Sequence, residues 1–360
     1  MKGYHPSEDD IKPREIRIHF DELSPNWRKA ICAAEALSFV CRLNEEEKGA
    51  SAAQKKRALQ RLRLTFGNGH GISRILGYFE QGEQNPNDER LKLTFPKGSV
   101  QEFWANTLVE ALKQVQKKEP HPSLNAVANE VMKTSGKVLV FGFYKDPMHD
   151  LADLINVQHF AREWMDWKTS KKPLQRGAAS EDAGLSDGEK NTLTFLRRTD
   201  RSLPTVRELD QFVREFAPDK PAVVYEGKTS DADRHGIQVE FNSPGFPRVL
   251  IAQVQLAAEG LNLHQNCKNI IFLHPRWNPR VLEQGIGRVN RIDCLWERDY
   301  RKYLAGQRKT KPEISVKEVI FEGTYDEENW RVLKRRWKQM RTLLNENLLD
   351  PKQVLMGSGR

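Results

Sequence analysis

Lys137-Val138-Leu139-Val140-Phe141-Gly142-Phe143 is a short apolar run that follows Gly136. A run of this length without polar alternation fits a strand buried on both faces of a parallel sheet. A helical stretch is expected after it, from about His149. From residue 220 onward the same texture returns. Strands are expected at Ala222–Tyr225, Arg248–Gln253, Asn269–Leu273 and Val316–Phe321, and a helix at Asp231–Asn242. Strands alternating with helices imply a doubly wound parallel α/β domain.

Upstream of 136 the pattern is different. Residues 1–14 read as a loose start. Ile16, Ile18 and Phe20 alternate with polar residues, as in a short strand. Ser24-Pro25 suits an N-cap and first helical position, with a helix to about Asn44. A second helix is expected around Lys55–Leu64, ended by Gly67, Gly69 and Gly71, and residues 80–98 read as a loop. Ser99 is placed to cap a helix through Lys118, and Leu124–Thr134 is helical in pattern. Residues 15–135 are thus mostly helical. The stretch 168–192, rich in Lys, Gly, Ala, Ser and Asp, reads as a linker or insertion. A long basic helix is expected over Asp326–Leu348, within a C-terminal segment 326–360. Its Arg331, Lys334, Arg335, Arg336, Lys338 and Arg341 suit phosphate contacts or a solvated face.

Across 360 residues, 58 Lys and Arg against 49 Asp and Glu give a net charge of +9. That balance favours a polyanionic partner, nucleic acid first, although a generic basic surface would give the same number. No run approaches the roughly 20 apolar residues of a membrane span. The polar opening carries no secretory pattern. The cysteines at 32, 41, 267 and 294 form no CxxC pair, and no histidine stands at zinc spacing beside them. A reduced, intracellular (cytoplasmic) protein without a structural metal is expected.

The chemistry concentrates in Leu282-Glu283-Gln284-Gly285-Ile286-Gly287-Arg288-Val289-Asn290-Arg291. Arg288 and Arg291 are three apart, so a helix would place them on one face, where two guanidiniums can clamp phosphate oxygens. The intervening glycines would keep the surface low enough for a polyanion to approach. Such a pair suits a position opposite the γ-phosphate of a hydrolysed nucleotide. The loop that would hold that phosphate is not found. Gly227-Lys228-Thr229 is the tempting match to Gly-x-x-x-x-Gly-Lys-[Ser/Thr], but Ala222 stands where the first glycine is needed. Asp21-Glu22 follows an alternating segment, not the apolar strand of an acidic Walker B box.

Three blocks stand in register: Lys137–Lys145; Val249–Leu263, which ends in Glu259-Gly260-Leu261-Asn262-Leu263; and Trp277-Asn278-Pro279 followed by Glu283–Arg291. Together they resemble motifs IV, V, Va and VI of superfamily-two helicases, in the Swi/Snf-like branch that includes bacterial translocases. The resemblance spans most of the chain and is tightest over 136–293. It implies an α/β fold, the second, RecA-like lobe of a motor over 136–325. That lobe would carry an insertion at about 168–215 and follow a helical region.

By the same resemblance, Arg288 and Arg291 would stabilise charge on the γ-phosphoryl group, and Gln284 would orient them or couple nucleotide to nucleic acid. Gly260 and Asn262 would lie at the nucleotide, and Lys145, Gln255, Trp277 and Asn278 along the nucleic acid. ATP and Mg2+ would be bound only with a complementary N-terminal lobe, supplied in cis or in trans. The track would be double-stranded DNA, and the chain alone would be inactive. Three departures weaken the nucleic-acid roles. Gln253 and Val254 stand where a hydroxyl residue usually opens motif V. The motif IV glutamine is replaced near Gly142-Phe143. His274 stands where an acidic residue usually precedes Trp-Asn-Pro. The competing expectation is a non-catalytic module, a lone lobe that binds nucleic acid or a protein.

Overall fold

The computed structural model describes residues 6, 10–43, 76, 95–118, 120–170, 184–257, 261–274 and 279–345. The expected helix at Lys55–Leu64 and loop at 80–98 lie largely or wholly outside the described residues, as do Gly260, Trp277 and Asn278. Strands are β1 (Ile11–Ile18), β2 (Lys137–Gly142), β3 (Ala222–Tyr225), β4 (Val249–Gln253), β5 (Cys267–Phe272) and β6 (Ile314–Phe321). They form one six-stranded sheet in the order β1-β6-β5-β2-β4-β3. Every pairing is parallel, as the apolar runs predict.

The sheet is buried on both faces because successive side chains of each inner strand point to opposite sides. Val138 and Val140 face one core, and Leu139 and Phe141 face the other. The first core is closed by α1 (Pro25–Leu43), α2 (Val100–Lys118), α3 (Pro122–Lys133) and α4 (Lys145–Ser170). Ser24 and Ser99 cap α1 and α2 through bonds from Trp27 N and Glu102 N, a device worth about 1 kcal/mol each. The second core is closed by α7 (Asp231–Asn242), α9 (Arg280–Ile286), α10 (Leu295–Leu304) and α11 (Tyr325–Asn345), through Phe241, Leu282, Trp296 and Trp330 among others.

The segment expected as a linker or insertion holds two helices, α5 (Asp187–Leu196) and α6 (Val206–Phe216). Each opens with a capping box, Ser186 with Glu189 and Thr205 with Glu208. With the outer part of α4 they bury a third cluster around Phe160, Leu193, Leu209 and Phe212. Buried Asn156 fastens this unit to the sheet. It donates to Glu189 at 3.1 Å and accepts from Ala222 N at 3.0 Å, while Lys220 pairs with Glu189 at 3.0 Å.

Two differences from the sequence expectation concern the ends. Residues 11–14, read as loose, begin β1, which runs in register with β6 from Ile11↔Ile314 to Ile18↔Phe321. Pro13 is tolerated because an edge strand leaves one row of N–H groups unpaired. The basic helix α11 is not wholly solvated either. Lys334 turns inward and meets Glu15 and Glu318 at 2.7 Å each, tying α11 to β1 and β6. Burial raises the Glu318 carboxyl above its ordinary value, and Lys334 opposes that. Among the described residues no helix is long and apolar enough to cross a membrane.

Candidate nucleotide and nucleic-acid site

After β4 the chain forms the short helix α8 (Val254–Ala257), and residues 261–266 lead into β5. Leu261 and Leu263 are buried, so they fix the loop and leave Asn262 between them partly exposed. The loop is stitched to the arginine segment, because Leu263 N donates to Arg288 O at 3.2 Å and Leu295 N to His264 O at 2.8 Å. Arg291 donates through a guanidinium nitrogen to the Asn262 side-chain oxygen, and through Nε to Gly287 O at 3.3 Å.

The expected helical face for the arginines is corrected by the structure. Helix α9 ends at Ile286, and Arg288 and Arg291 ride a succession of turns. Arg288 N donates to Gly285 O at 3.1 Å and Val289 N to Ile286 O at 3.1 Å, the tightened bonds of a helix end. Buried Val289 and Cys294 pin the turns to the core. Asp293 adopts a left-handed φ of 59°, and its N–H is held by Glu297 at 2.6 Å. The two arginines still come together. Burial, and then the like charge of Arg291, push the Arg288 guanidinium below its ordinary value. Arginine stays protonated, so Arg288 is a half-buried cation that also feels the like charge of Arg291. Burial also lowers the His264 imidazole, with Arg291 adding to the effect.

Gly285 has a role other than the one expected. A Cβ there would come within 2.9 Å of the Phe141 and Phe272 rings, which stack at 5.3 Å. The glycine lets α9 lie directly on the sheet. Gln284 on the same helix is exposed. At the far side of α9, Glu283 accepts from Trp337 Nε1 at 2.5 Å, so α11 braces the helix that leads to the arginines.

One residue with no role assigned from sequence organises this region. Asn242, at the end of α7, donates to Asn262 O at 2.6 Å, accepts from Gln265 N at 3.2 Å, and accepts from Asn266 through its own carbonyl. It thereby clasps the loop that holds Arg291. Its signal was the Phe241-Asn242 pair preceding the motif V block.

Lys145 and Gln255 lie elsewhere, at the carboxyl ends of β2, β3 and β4. Lys145 pairs with Glu226 at 2.9 Å, and His149 lies 3.5 Å from the same carboxylate. Burial acts to raise the Glu226 carboxyl, but Lys145 and His149 hold it below its ordinary value. Gln253 donates to Gln255 at 3.2 Å and to Phe143 O at 3.5 Å. His274 accepts from Phe143 N at 3.0 Å and packs edge-on to Tyr144. So the residues that depart from the motif pattern, Gln253 and His274, bond to the 143–145 segment and to Gln255. Among the described residues no group of three or more His, Cys, Asp or Glu could hold a metal ion. The arginine pair does fit phosphate oxygens.

Residues 181–293 match the Helicase conserved C-terminal domain. The chain is 24% identical over 185 residues to DNA repair protein RAD5B of Arabidopsis thaliana, covering 50% of this chain and 12% of that protein. It is 27% identical over 121 residues to RAD5A of the same organism, covering 34% and 10%. The chain therefore spans about a tenth of the length of these curated relatives. The C-terminal part of the Fun30 ATPase domain aligns over 90% of this chain and 87% of that one, at 13% identity. The TM-score of that alignment is 0.39.

Proposed function

We propose that this chain is the C-terminal, RecA-like motor lobe of a Swi/Snf-like, ATP-dependent DNA translocase. Arg291 and Arg288 would face the γ-phosphate of ATP held, with Mg2+, by an N-terminal lobe in cis or in trans. The supporting observation is that the 261–264 loop is tied to the arginine segment, by the Arg291 guanidinium on Asn262 and by Leu263 N on the Arg288 carbonyl, inside the segment that matches the helicase C-terminal domain. In this role the chain's own residues do three things. Asn262 and Gly287 aim Arg291; the turn at 287–291 keeps Arg288 beside it; and α9, seated by Gly285 and braced by Trp337, holds the turn against the sheet. The arginines would act by electrostatic stabilisation of charge that builds on the transferring group. The track would be double-stranded DNA, contacted at the Lys145 and Gln255 edge.

A second reading is a non-catalytic binding lobe. It is favoured by the carboxyl edge, where Lys145 is already paired with Glu226 and Gln255 with Gln253. One experiment separates the two. The chain is mixed with a candidate first lobe, or joined to it, and DNA-stimulated ATP hydrolysis is measured with wild type and with Arg291→Ala. The motor reading expects hydrolysis that the substitution abolishes. Hydrolysis that survives Arg291→Ala, or that needs no second lobe, would sink it.

A further inference from the structure

At the amino ends of β1, β5 and β6 lies an open cleft of about 470 Å³. Its lining residues lie outside the motif blocks, at the opposite ends of the strands from Lys145 and Gln255. Its walls carry Arg14, Lys133, Lys268, Arg308, Lys311 and Lys317 against only Glu130 and Glu313. The segment 298–311, which runs through α10 to its rim, holds six cations and a single carboxylate. Polar side chains such as Ser135, Thr310 and Asn269 complete the lining, and no aromatic residue is among its described residues.

Most of these cations have partners, and the pattern of pairing matters. The buried acids are served twice or firmly: Asp299 by both Lys268 and Arg308, at 2.6 and 2.7 Å, and Asp10 by Lys311 at 2.5 Å. Arg308 can therefore turn to an outside anion while Lys268 keeps Asp299 neutralised. Arg14, half exposed, pairs with Glu313, and exposed pairs of that kind contribute about 0–1 kcal/mol. Lys133 in the lining and Lys309, between the lining residues Arg308 and Thr310 in sequence, stand exposed. The excess positive charge is thus carried by side chains that can move to a ligand at little cost.

We infer that this cleft is a second nucleic-acid contact, which grips the phosphodiester backbone of a DNA duplex at the edge of the sheet opposite Lys145 and Gln255. Cations and hydroxyls suit phosphate oxygens. The absence of rings in the lining argues against a single strand, whose bases would need aromatic surfaces to stack on. A cleft with polar walls is equally unsuited to an apolar small molecule. This inference does not depend on the motor reading, because it needs neither ATP nor a second lobe.

The test is binding of the full chain to a short labelled DNA duplex, followed by fluorescence anisotropy across a salt series. The triple variant Lys133→Gln/Arg308→Gln/Lys309→Gln leaves the buried acids paired. It should weaken binding about tenfold or more at low salt. It should also flatten the salt dependence by about 0.9 for every phosphate that is no longer neutralised. The thermal midpoint should match wild type. Affinity and slope that stay at wild-type values would overturn the inference, as would wild type failing to bind the duplex at low salt. A single strand of the same sequence, bound more tightly than the duplex and weakened equally by the variant, would overturn the duplex assignment. Lys145→Gln, measured in parallel, should lower affinity additively; if it alone removes binding, the carboxyl edge holds the DNA by itself and the inference fails.

Discussion

The arginine cluster and the Lys145 edge are built on opposite electrical principles. Around Arg288 and Arg291 two like charges share a half-buried site, and Arg291 bonds to the neutral groups of Asn262 and Gly287. At the other edge a single lysine meets a carboxylate, and neighbouring amides bond to one another. A phosphate reaching Arg291 need only replace neutral oxygens, whereas a phosphate approaching Lys145 must displace Glu226. The proposed nucleic-acid role of one edge and the proposed catalytic role of the other are therefore separable by substitution.

The largest expected effect tests the arginine cluster. In the presence of the complementary lobe, Arg291→Ala should lower ATP turnover by about 10³-fold or more, far beyond what the loss of its two hydrogen bonds, about 1 kcal/mol each, does to stability. A loss below tenfold would show that the cluster is not aimed at the reacting phosphate. Next, Gly285→Ala should destabilise the fold by about 1–3 kcal/mol, as overpacking does, because its methyl would enter the Phe141 and Phe272 rings. Denaturant titration reads this directly, and Gly287→Ala, whose methyl would meet only carbonyl oxygens at 3.3 and 3.4 Å, should cost less. A reversed order would mean that α9 is not seated by Gly285.

Asn242→Ala removes hydrogen bonds of about 1 kcal/mol each and loosens the 262–266 loop. It should lower the turnover number of the assembled motor more than it raises KM for ATP, and Asn242→Asp should restore little, since a carboxylate cannot donate to Asn262 O. If stability falls but turnover does not, Asn242 only supports the fold.

The smallest effect concerns the satisfied edge. Glu226→Gln should raise duplex affinity a few-fold and steepen the salt dependence by about 0.9, one more neutralised phosphate. Its pH signature follows from the lowered carboxyl. The folded value lies below the ordinary 4.5, so the ionised group stabilises the fold above that pH. The contribution is lost as pH falls through the folded value. The stability gap between wild type and Glu226→Gln should be flat above about pH 5 and shrink below it. A gap that grows in acid would reverse the assigned sign.

The strands of this fold were legible because burial on both faces writes itself as apolar runs; β2 and β4 are readable within a residue of their ends. Helices α1 and α2 were legible from Ser24 and Ser99, whose capping bonds form as expected. Three kinds of feature were hidden. Ile16 and Ile18 announced β1, but Pro13 and the flanking charges disguised its beginning at 11–14, since an edge strand needs only one hydrogen-bonded side and one apolar face. The capping boxes of α5 and α6 were present, but small and charged residues around them gave the texture of a linker, and only packing on α4 turns them into a unit. Cys294, whose sulfur accepts from Glu297 N at 3.4 Å, is an unusual cap, so α10 was missed. At the site, the arginines were found by residue type and spacing. Their turn was not, because Gly285 and Gly287 read as open surface when one is a packing contact and the other ends a helix. Asn242 was given no role because the Phe241-Asn242 pair marks its place before the motif V block but not its bonds, which are made to the 262–266 loop.

The pairing of β1 with β6 has a consequence for how the molecule is made. Ile11 and Ile314 lie side by side, about 300 positions apart along the chain. Of the six described strands β1 is made before the others and β6 after them, so β1 must wait for most of the sheet before its partner exists. Closing so long a loop is slow, and pairing of distant strands is among the late steps of folding. Until then the β6 edge of β5 and the apolar side of β1 stay open to other chains. Lys334, which bonds Glu15 and Glu318 at once, comes later still in synthesis, and acts as the latch that closes the sheet after its last strand arrives.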